Sequence, residues 1–414
     1  MDRLRVRIVV ERTMRVEADT LILMLAPGAS LEKWQRAGIL EREWALPVAL
    51  FEKYARGVLV SFGGEQEAEI LKTILPATLS ERVSLVCNER GDIDSEYEKR
   101  LRDAVLSHCK HGSRAVIRTT QMSRGRIPVQ VCERLRAAGV PVALIARGGH
   151  LWTRFLANSH GADSDIAIGA ADEEGALCRA ADVIIGSTEP MVKDLAWRYS
   201  FSMDKTRIVP NYFYGTTLGD PSTRDRGLVV HTGQLVARKR VDTLVKAIAE
   251  VAKIQPHARL EVIGDGPELP YLTSLTKQLN APVTFYTNFT HEQRIERLQQ
   301  CGVYVHASDM ESQPKSVIEA LSCGCAAVVA ASPGLGMLVQ HGVTGIRCDG
   351  TVDGFSLVLQ ELVVDDEWRA AMGPAAAQDI RGKYTLSSVI SLELEAHQEA
   401  MRRAFGDGDS RVAA

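Results

Sequence analysis

One pattern constrains this chain more than any other: short aliphatic runs alternate with amphipathic helical stretches, and the alternation starts twice. In the first half the runs are LILMLA (21–26), GVLVSF (57–62), VSLVCN (83–88), AVIRTT (115–120), VALIA (142–146) and DVIIGS (182–187). Each is rich in aliphatic or β-branched residues without clean apolar–polar alternation, as expected of strands covered on both faces. Helical patterns separate them. IPVQVCERLRAAG, for example, stops at Gly139, just ahead of a proline and the next run. Around GTTLGDPSTRDRG (215–227) the composition turns to Gly, Pro, Thr, Ser and charge, which suits a linker. The grammar then restarts with RGLVVHTG (226–233), the helix VDTLVKAIAEVAKIQP, and the runs within ARLEVIGDGPE, APVTFYTN, CGVYVHAS and CAAVVAAS. Such units predict an α/β protein of two Rossmann-like, doubly wound parallel sheets facing a central cleft. Length agrees, since 414 residues exceed one ordinary domain. The last pattern, SVISLELEAHQEAMRRAF, is a long amphipathic helix that fits against either half, and the tail GDGDSRVAA (406–414) reads as disordered.

Composition narrows the partners. A net charge of −3 provides no global basic field, so no nucleic-acid partner is expected. No apolar run approaches the roughly 20 residues needed to span a bilayer as a helix. The start, MDRLRVRIVVERTM, alternates and is charged, and it lacks the apolar core of a signal peptide. Its Arg3, Arg5 and Arg7 stand at strand spacing, either as a solvated strand face or as a contact with an anionic membrane surface. The eight cysteines form no CxxC pair, which fits free thiols in a reducing cytoplasm. A cytoplasmic protein, in one variant peripheral at the inner face of the membrane, is the expectation.

The stretch richest in chemistry is MESQPKSVIEALSCGCAAVVA (310–330). Pro314 suits the first turn of a helix, and Gly324 suits its end. Glu311 then lies in the loop after a strand, and Glu319 in the second helical turn. Free N–H groups near residues 313–316, helped by the helix dipole, favour an anion such as phosphate. Carboxylates beside them accept hydroxyl donors from a sugar or ribose. Alternatively, Glu311 is a solvated loop acid and Glu319 a surface residue. TGQLVARKR (232–240) adds Arg238 and Lys239 beyond a strand-ending Gly233, either to neutralise a diphosphate or as a solvated basic turn. GDGPE (264–268) supplies another strand-end glycine turn at Gly264. A dinucleotide site is its rival, but GxG without a third glycine is weak, and LILMLAPGAS lacks GxGxxG.

Together TGQLVARKRVDTLVKA, LEVIGDGPEL, VTFYTNFTHEQRIERLQQCGVYVHAS and ESQPKSVIEALSCGCAAVVAASPGLGMLVQHGVTG resemble the donor half of family 4 glycosyltransferases. QPKSVIEALSCG is similar to the family subgroup reading QPKSLLEAMACG. The resemblance implies a GT-B fold, with residues 1–218 on the acceptor side and 219–385 binding a nucleotide-sugar donor. The helix near 386–405 would cross back onto the first domain. It implies a retaining enzyme that needs neither metal nor cofactor and transfers a sugar to a carbohydrate or lipid-linked acceptor. By resemblance Glu319 holds ribose hydroxyls and Glu311 contacts the transferred sugar. Amides from Gln313 through Lys315 to Ser316 bind sugar hydroxyls and phosphate, Lys239 binds the diphosphate, and Gly233 lets backbone approach it. The base rests near Tyr286–Asn288 and the turn after Gly264. The chain departs from the family where Gln234 replaces an arginine and where Ser312 and Thr287 replace glycines. Arg238 or Lys239 must then supply the missing charge, or the chain binds nucleotide sugar without turnover.

The amino-terminal half is less telling. LILMLAPGASLEKWQRAGILEREWAL resembles the start of some family members, and Gly28 is either a turn glycine or a close approach to the donor phosphates. In VALIARGGHLW the family's usual histidine position falls on Arg147 or on His150, and both stay open. PNYFY (210–214) resembles the family's hinge element, with Tyr214 in place of an acid. ADSD (162–165) has DxD spacing, but Asp163 and Asp165 read as a turn cap rather than metal ligands.

Overall fold

The computed structural model describes residues 18–88 and 95–406, so the readings made on residues 1–14 and on the tail beyond Gly406 lie outside the described residues. The first sheet has seven parallel strands: β1 (Thr20–Met24), β2 (Arg56–Val60), β3 (Val83–Val86), β4 (Ala115–Thr119), β5 (Val142–Gly148), β6 (Val183–Gly186) and β7 (Thr206–Ile208). Their order is β3-β2-β1-β4-β5-β6-β7. The second sheet has six: β8 (Asp225–Thr232), β9 (Arg259–Ile263), β10 (Val283–Tyr286), β11 (Cys301–His306), β12 (Ala326–Ala330) and β13 (Ile346–Cys348), ordered β10-β9-β8-β11-β12-β13. All registered pairs are parallel, with helices in the crossovers.

The unbroken apolar runs have a direct cause. In β1, Leu21 and Leu23 pack into one core, while Ile22 and Met24 face another on the opposite side of the sheet. Both faces are covered, so no position wants a polar side chain. Each such buried side chain contributes about 1.5–3 kcal/mol over its exposed state.

Two strands escape the sequence pattern. β7 (TRI) and β13 (IRC) are three residues long and lie at sheet edges. One covered side and little length leave no apolar run to detect. The linker reading also needs correcting at its end: β8 begins at Asp225, so residues 225–227 belong to the sheet.

The helix Leu386–Phe405 packs on β5, β6 and the helix Leu40–Phe51. It buries Val389, Ile390, Leu394, Ala400 and Met401 in the same core as Leu21 and Leu23. Glu393 and His397 lie on that buried face, four residues apart. The segment ADSD is solvent-facing, and Ser164, not either aspartate, caps the helix Asp165–Ala180 by accepting from the Ala167 amide.

Candidate active site

In each sheet the chain reverses winding direction between neighbouring strands: β1 and β4 in the first, β8 and β11 in the second. Loops leaving such neighbours diverge and open a crevice at the strand ends. The two crevices face one another across a cleft of about 820 Å³, a size that accommodates a bound small molecule. Basic side chains outnumber acidic ones two to one along its walls, which favours an anionic ligand.

The second half builds one wall. Beyond β8, Gly233 and Gly264 press their backbones together. A Cβ on Gly264 would lie 1.8 Å from the Gly233 carbonyl oxygen, so only glycine fits. Arg238 and Lys239 follow on a short 3₁₀ turn. Beyond β11, the loop brings Glu311 between them. Arg238 Nη1 donates to Glu311 Oε1 at 2.8 Å, and Lys239 Nζ binds the same oxygen. His306 Nε2 lies 3.7 Å from that oxygen. Burial pushes the Glu311 carboxyl up, but Lys239, His306 and Arg238 outweigh it and hold Glu311 well below the usual carboxylate range. Glu311 is therefore no solvated loop acid. Its loop is clamped from behind, because a Cβ on Gly334 would lie 1.9 Å from the Glu311 carbonyl oxygen.

The helix Lys315–Ser322 follows, with Pro314 in the cap position and no side chain capping it. Its first amides lack intrahelical acceptors and open beside Pro314, Lys315 and Ser316 on the cleft wall. Glu319 is fully buried, not a surface residue, and receives Arg42 Nη1 on both carboxylate oxygens at 3.2 Å. The helix stops where the sequence suggests: Gly324 takes φ +77° and β12 begins two residues on.

The first half builds the facing wall. Gly28 adopts φ +88° and its carbonyl accepts Lys33 Nζ at 2.9 Å. At the end of β5, Arg147 and His150 both reach the cleft, in different roles. Arg147 is tied down, its Nε donating to Glu393 at 3.2 Å. His150 stands beside the Arg238–Lys239–Glu311 cluster. Burial, then the Arg238 charge, lowers it to about 4, so it presents a neutral imidazole near pH 7.

Of the donor-side residues singled out in the sequence, Gln313 stays off the cleft wall, as do its neighbour Ser312 and Asn288. The Gln313 side-chain oxygen accepts from the Asn211 amide at 2.5 Å, and its carbonyl accepts Asn211 Nδ2 at 2.6 Å. It fastens the PNYFY hinge instead. Sequence reasoning missed Arg42, Glu43, Arg118, Glu393 and Gly334. Arg118 did carry a signal: an arginine inside the buried run AVIRTT demands an acidic partner. Nothing local in the sequence points to Glu393 as that partner.

Two further histidines lie under Glu311. His231 and His306 are fully buried with ring centroids 5.2 Å apart. Burial lowers both first; the His306 charge then lowers His231 to about 3, and the Lys239 charge lowers His306 to about 4. Their folded-state values are below the unfolded one, so their stabilisation is complete above about pH 6.5. It is lost as pH falls from there towards 4, because the unfolded chain takes up protons first. Each histidine should cost about 1 kcal/mol per pH unit in that window. Denaturation midpoints between pH 7 and 4.5 test this, and His306→Asn should flatten the slope. A stability flat from pH 7 to 5 would contradict it.

The class of architecture is now defined: two parallel-sheet α/β domains meeting at a cleft between strand ends form the GT-B fold. Known proteins agree. HepE of Anabaena, in complex with UDP and glucose, superposes with a TM-score of 0.67 at 16% identity, covering 91% of this chain and 98% of that one. Sucrose-phosphate synthase from Thermosynechococcus elongatus gives a TM-score of 0.72 at 18% identity, over 92% and 98%. Residues 221–379, which carry Lys239, Glu311 and Glu319, match the family described as Glycosyl transferases group 1. N-acetyl-alpha-D-glucosaminyl L-malate synthase of Bacillus anthracis is 24% identical over 195 residues, 47% of this chain and 49% of that protein. A GDP-mannose-dependent alpha-(1-6)-phosphatidylinositol monomannoside mannosyltransferase of Mycolicibacterium smegmatis is 31% identical over 163 residues, 36% and 42% of the two chains. The chain thus spans about half the length of the curated relatives it matches, or somewhat less. Among the described residues no cluster of His, Cys, Asp and Glu could hold a metal, and no helix is long and apolar enough to cross a membrane.

Proposed function

We propose that this chain is a retaining, metal-independent glycosyltransferase of family 4 that moves a sugar from a nucleotide diphosphate to a hydroxyl acceptor. One observation carries the reading. Arg238, Lys239 and Glu311 converge beside an uncapped helix start that also bears Glu319, all on one cleft wall. Lys239, Arg238 and the amides of Lys315 and Ser316 would stabilise a departing diphosphate. Glu319 would accept ribose hydroxyls and Glu311 a hydroxyl of the transferred sugar. With no side chain assigned as nucleophile, the acceptor attacks on the face the diphosphate leaves, and fixed charges and dipoles supply most of the acceleration. Neutral His150, from the opposite wall, is suited to hydrogen-bond the sugar. Arg147 serves the wall itself.

A relative named for GDP-mannose and a neighbour holding UDP and glucose support a nucleotide-sugar donor. The acceptor is a carbohydrate or lipid-linked hydroxyl on the side of residues 1–218, within polysaccharide, lipid-linked glycan or glycoconjugate synthesis. The setting is the cytoplasm, with peripheral contact at the inner membrane face where the acceptor is lipid-linked. Thermal-shift screening against UDP-, GDP-, ADP- and dTDP-sugars tests the donor, since bound ligand raises the melting temperature. Turnover in EDTA and the anomeric configuration of the product, read by NMR, test the rest. A metal requirement or an inverted product would refute those parts of the proposal.

A second reading, nucleotide-sugar binding without turnover, is favoured by neutral Gln234 on the cleft wall. Slow donor hydrolysis without acceptor counts against it; binding with no turnover across an acceptor panel favours it.

Gly334 offers a separate check. Alanine there must push the Glu311 loop forward, since the carbonyl oxygens of Glu311 and Ser312 stand 1.9 and 2.5 Å from the added carbon. Gly334→Ala should lower turnover by about a hundredfold, the effect of an ångström-scale displacement at a reacting centre. Nucleotide affinity should fall far less. Unchanged turnover in a folded variant would show that the position of Glu311 does not matter.

A further inference from the structure

Both oxygens of Glu319 are engaged by one side chain. Arg42, on the helix Leu40–Phe51 of the first half, donates Nη1 to each at 3.2 Å. Glu319 has no exposed surface, so a hydroxyl pair reaches its oxygens only by displacing the guanidinium. Arg42 has a second partner next to it, Glu43, at 2.9 Å. Glu43 in turn binds Lys315 Nζ at 2.6 Å, and Lys315 opens the helix that carries Glu319. Two acids and two bases, one of each from either half, close a ring across the cleft. A neighbouring clasp joins the same two halves with the donor on the other side: Arg294 Nη2 donates to the Ala37 carbonyl at 3.2 Å.

We propose that Arg42 is a placeholder for the vicinal diol of the donor's ribose, forming with Glu43, Lys315 and Glu319 an interdomain latch that the incoming nucleotide must exchange. The inference rests on the nucleotide-sugar reading of Glu319. On exchange, the diol takes the Glu319 oxygens. Arg42 remains paired with Glu43, so no charge is left buried alone, and the bond joining the two walls at Glu319 is released. A chain that is latched most of the time binds its ligand more weakly by the fraction that is open.

The test is calorimetric titration of UDP, GDP and ADP against the full chain and its Arg42→Gln variant. Arg42→Gln should tighten binding about tenfold, as expected if the latch is closed roughly nine-tenths of the time. Arg42→Lys, which keeps the charge, should restore much of the native affinity. The gain should vanish for the 2′,3′-dideoxy form of the same nucleotide, which has no diol to exchange; a merely structural role would not discriminate in this way. Should Arg42→Gln fail to fold, Glu43→Gln removes the partner that Arg42 keeps after exchange, and must weaken binding of the nucleotide while leaving its dideoxy form unchanged; an equal effect on both overturns the latch. Unchanged or weakened binding by a folded Arg42→Gln, or an equal gain for the dideoxy form, overturns the latch alone. Silence of the native chain and the variants towards all three nucleotides overturns the nucleotide reading, and the latch with it.

Discussion

Alanine at Lys239 should reduce nucleotide-sugar turnover by about two to three orders of magnitude while the chain stays folded, the usual result of removing one preorganised charge from a transition state. Lys239 is nearly buried, and burial pulls its ammonium below its ordinary value despite the Glu311 charge beside it. A buried cation of that kind acts in a medium that screens little, so its effect on a developing diphosphate charge is large. The fold should tolerate the change because Glu311 keeps Arg238 at 2.8 Å. Glu311→Ala should lower turnover too, but leave two adjacent cations without their carboxylate, and so cost stability as well. Single-turnover kinetics with circular dichroism separate these effects. A Lys239→Ala enzyme that retains native turnover would remove Lys239 from the mechanism.

The largest stability effect is expected away from Lys239, at Glu393. Its carboxylate is fully buried and accepts from Arg118 Nε at 3.0 Å, Arg118 Nη2 at 2.5 Å and Arg147 Nε at 3.2 Å. Burial raises it, but the Arg118 charge dominates and holds it far below the usual carboxylate range. Removing the single acid leaves two buried guanidinium groups facing one another. Glu393→Ala should therefore cost about 3–5 kcal/mol, the penalty typical of a broken buried ion pair. The helix Leu386–Phe405 would lose its polar anchor on β5, the strand that carries Arg147 and leads to His150. Urea unfolding followed by far-UV circular dichroism measures the loss. A change under about 1 kcal/mol would mean that water reaches the site and solvates the arginines.

Much of the fold was legible because burial on both sheet faces imposes its own pattern. LILMLA and VALIA are uninterrupted because both sheet faces are covered, as Leu21 and Ile22 show by meeting different packed cores. β7 and β13 were not legible, since an edge strand of three residues imposes almost no pattern. The cleft wall built by the second half was legible as well. Glycine turns, a lysine after β8 and two glutamates spaced along one loop and helix are local features, and parallel topology delivers strand ends to one place. Gln313 shows the limit of that logic: it stands in the right segment, yet its side chain turns to Asn211.

What the sequence by itself determined is most of the elements, their parallel pairing and the chemistry of each strand-end loop, because these follow from periodicity, turn residues and neighbours in the chain. The meeting of Arg42 with Glu319 and of Arg118 with Glu393 was decided only by the tertiary structure. Those partners stand 277 and 275 residues apart. Charge attraction between such distant positions has no local signature, since any arginine can pair with any glutamate until packing excludes the rest. The different surroundings of Arg147 and His150 were beyond the local sequence for the same reason, since the Glu393 that holds Arg147 lies 246 residues away.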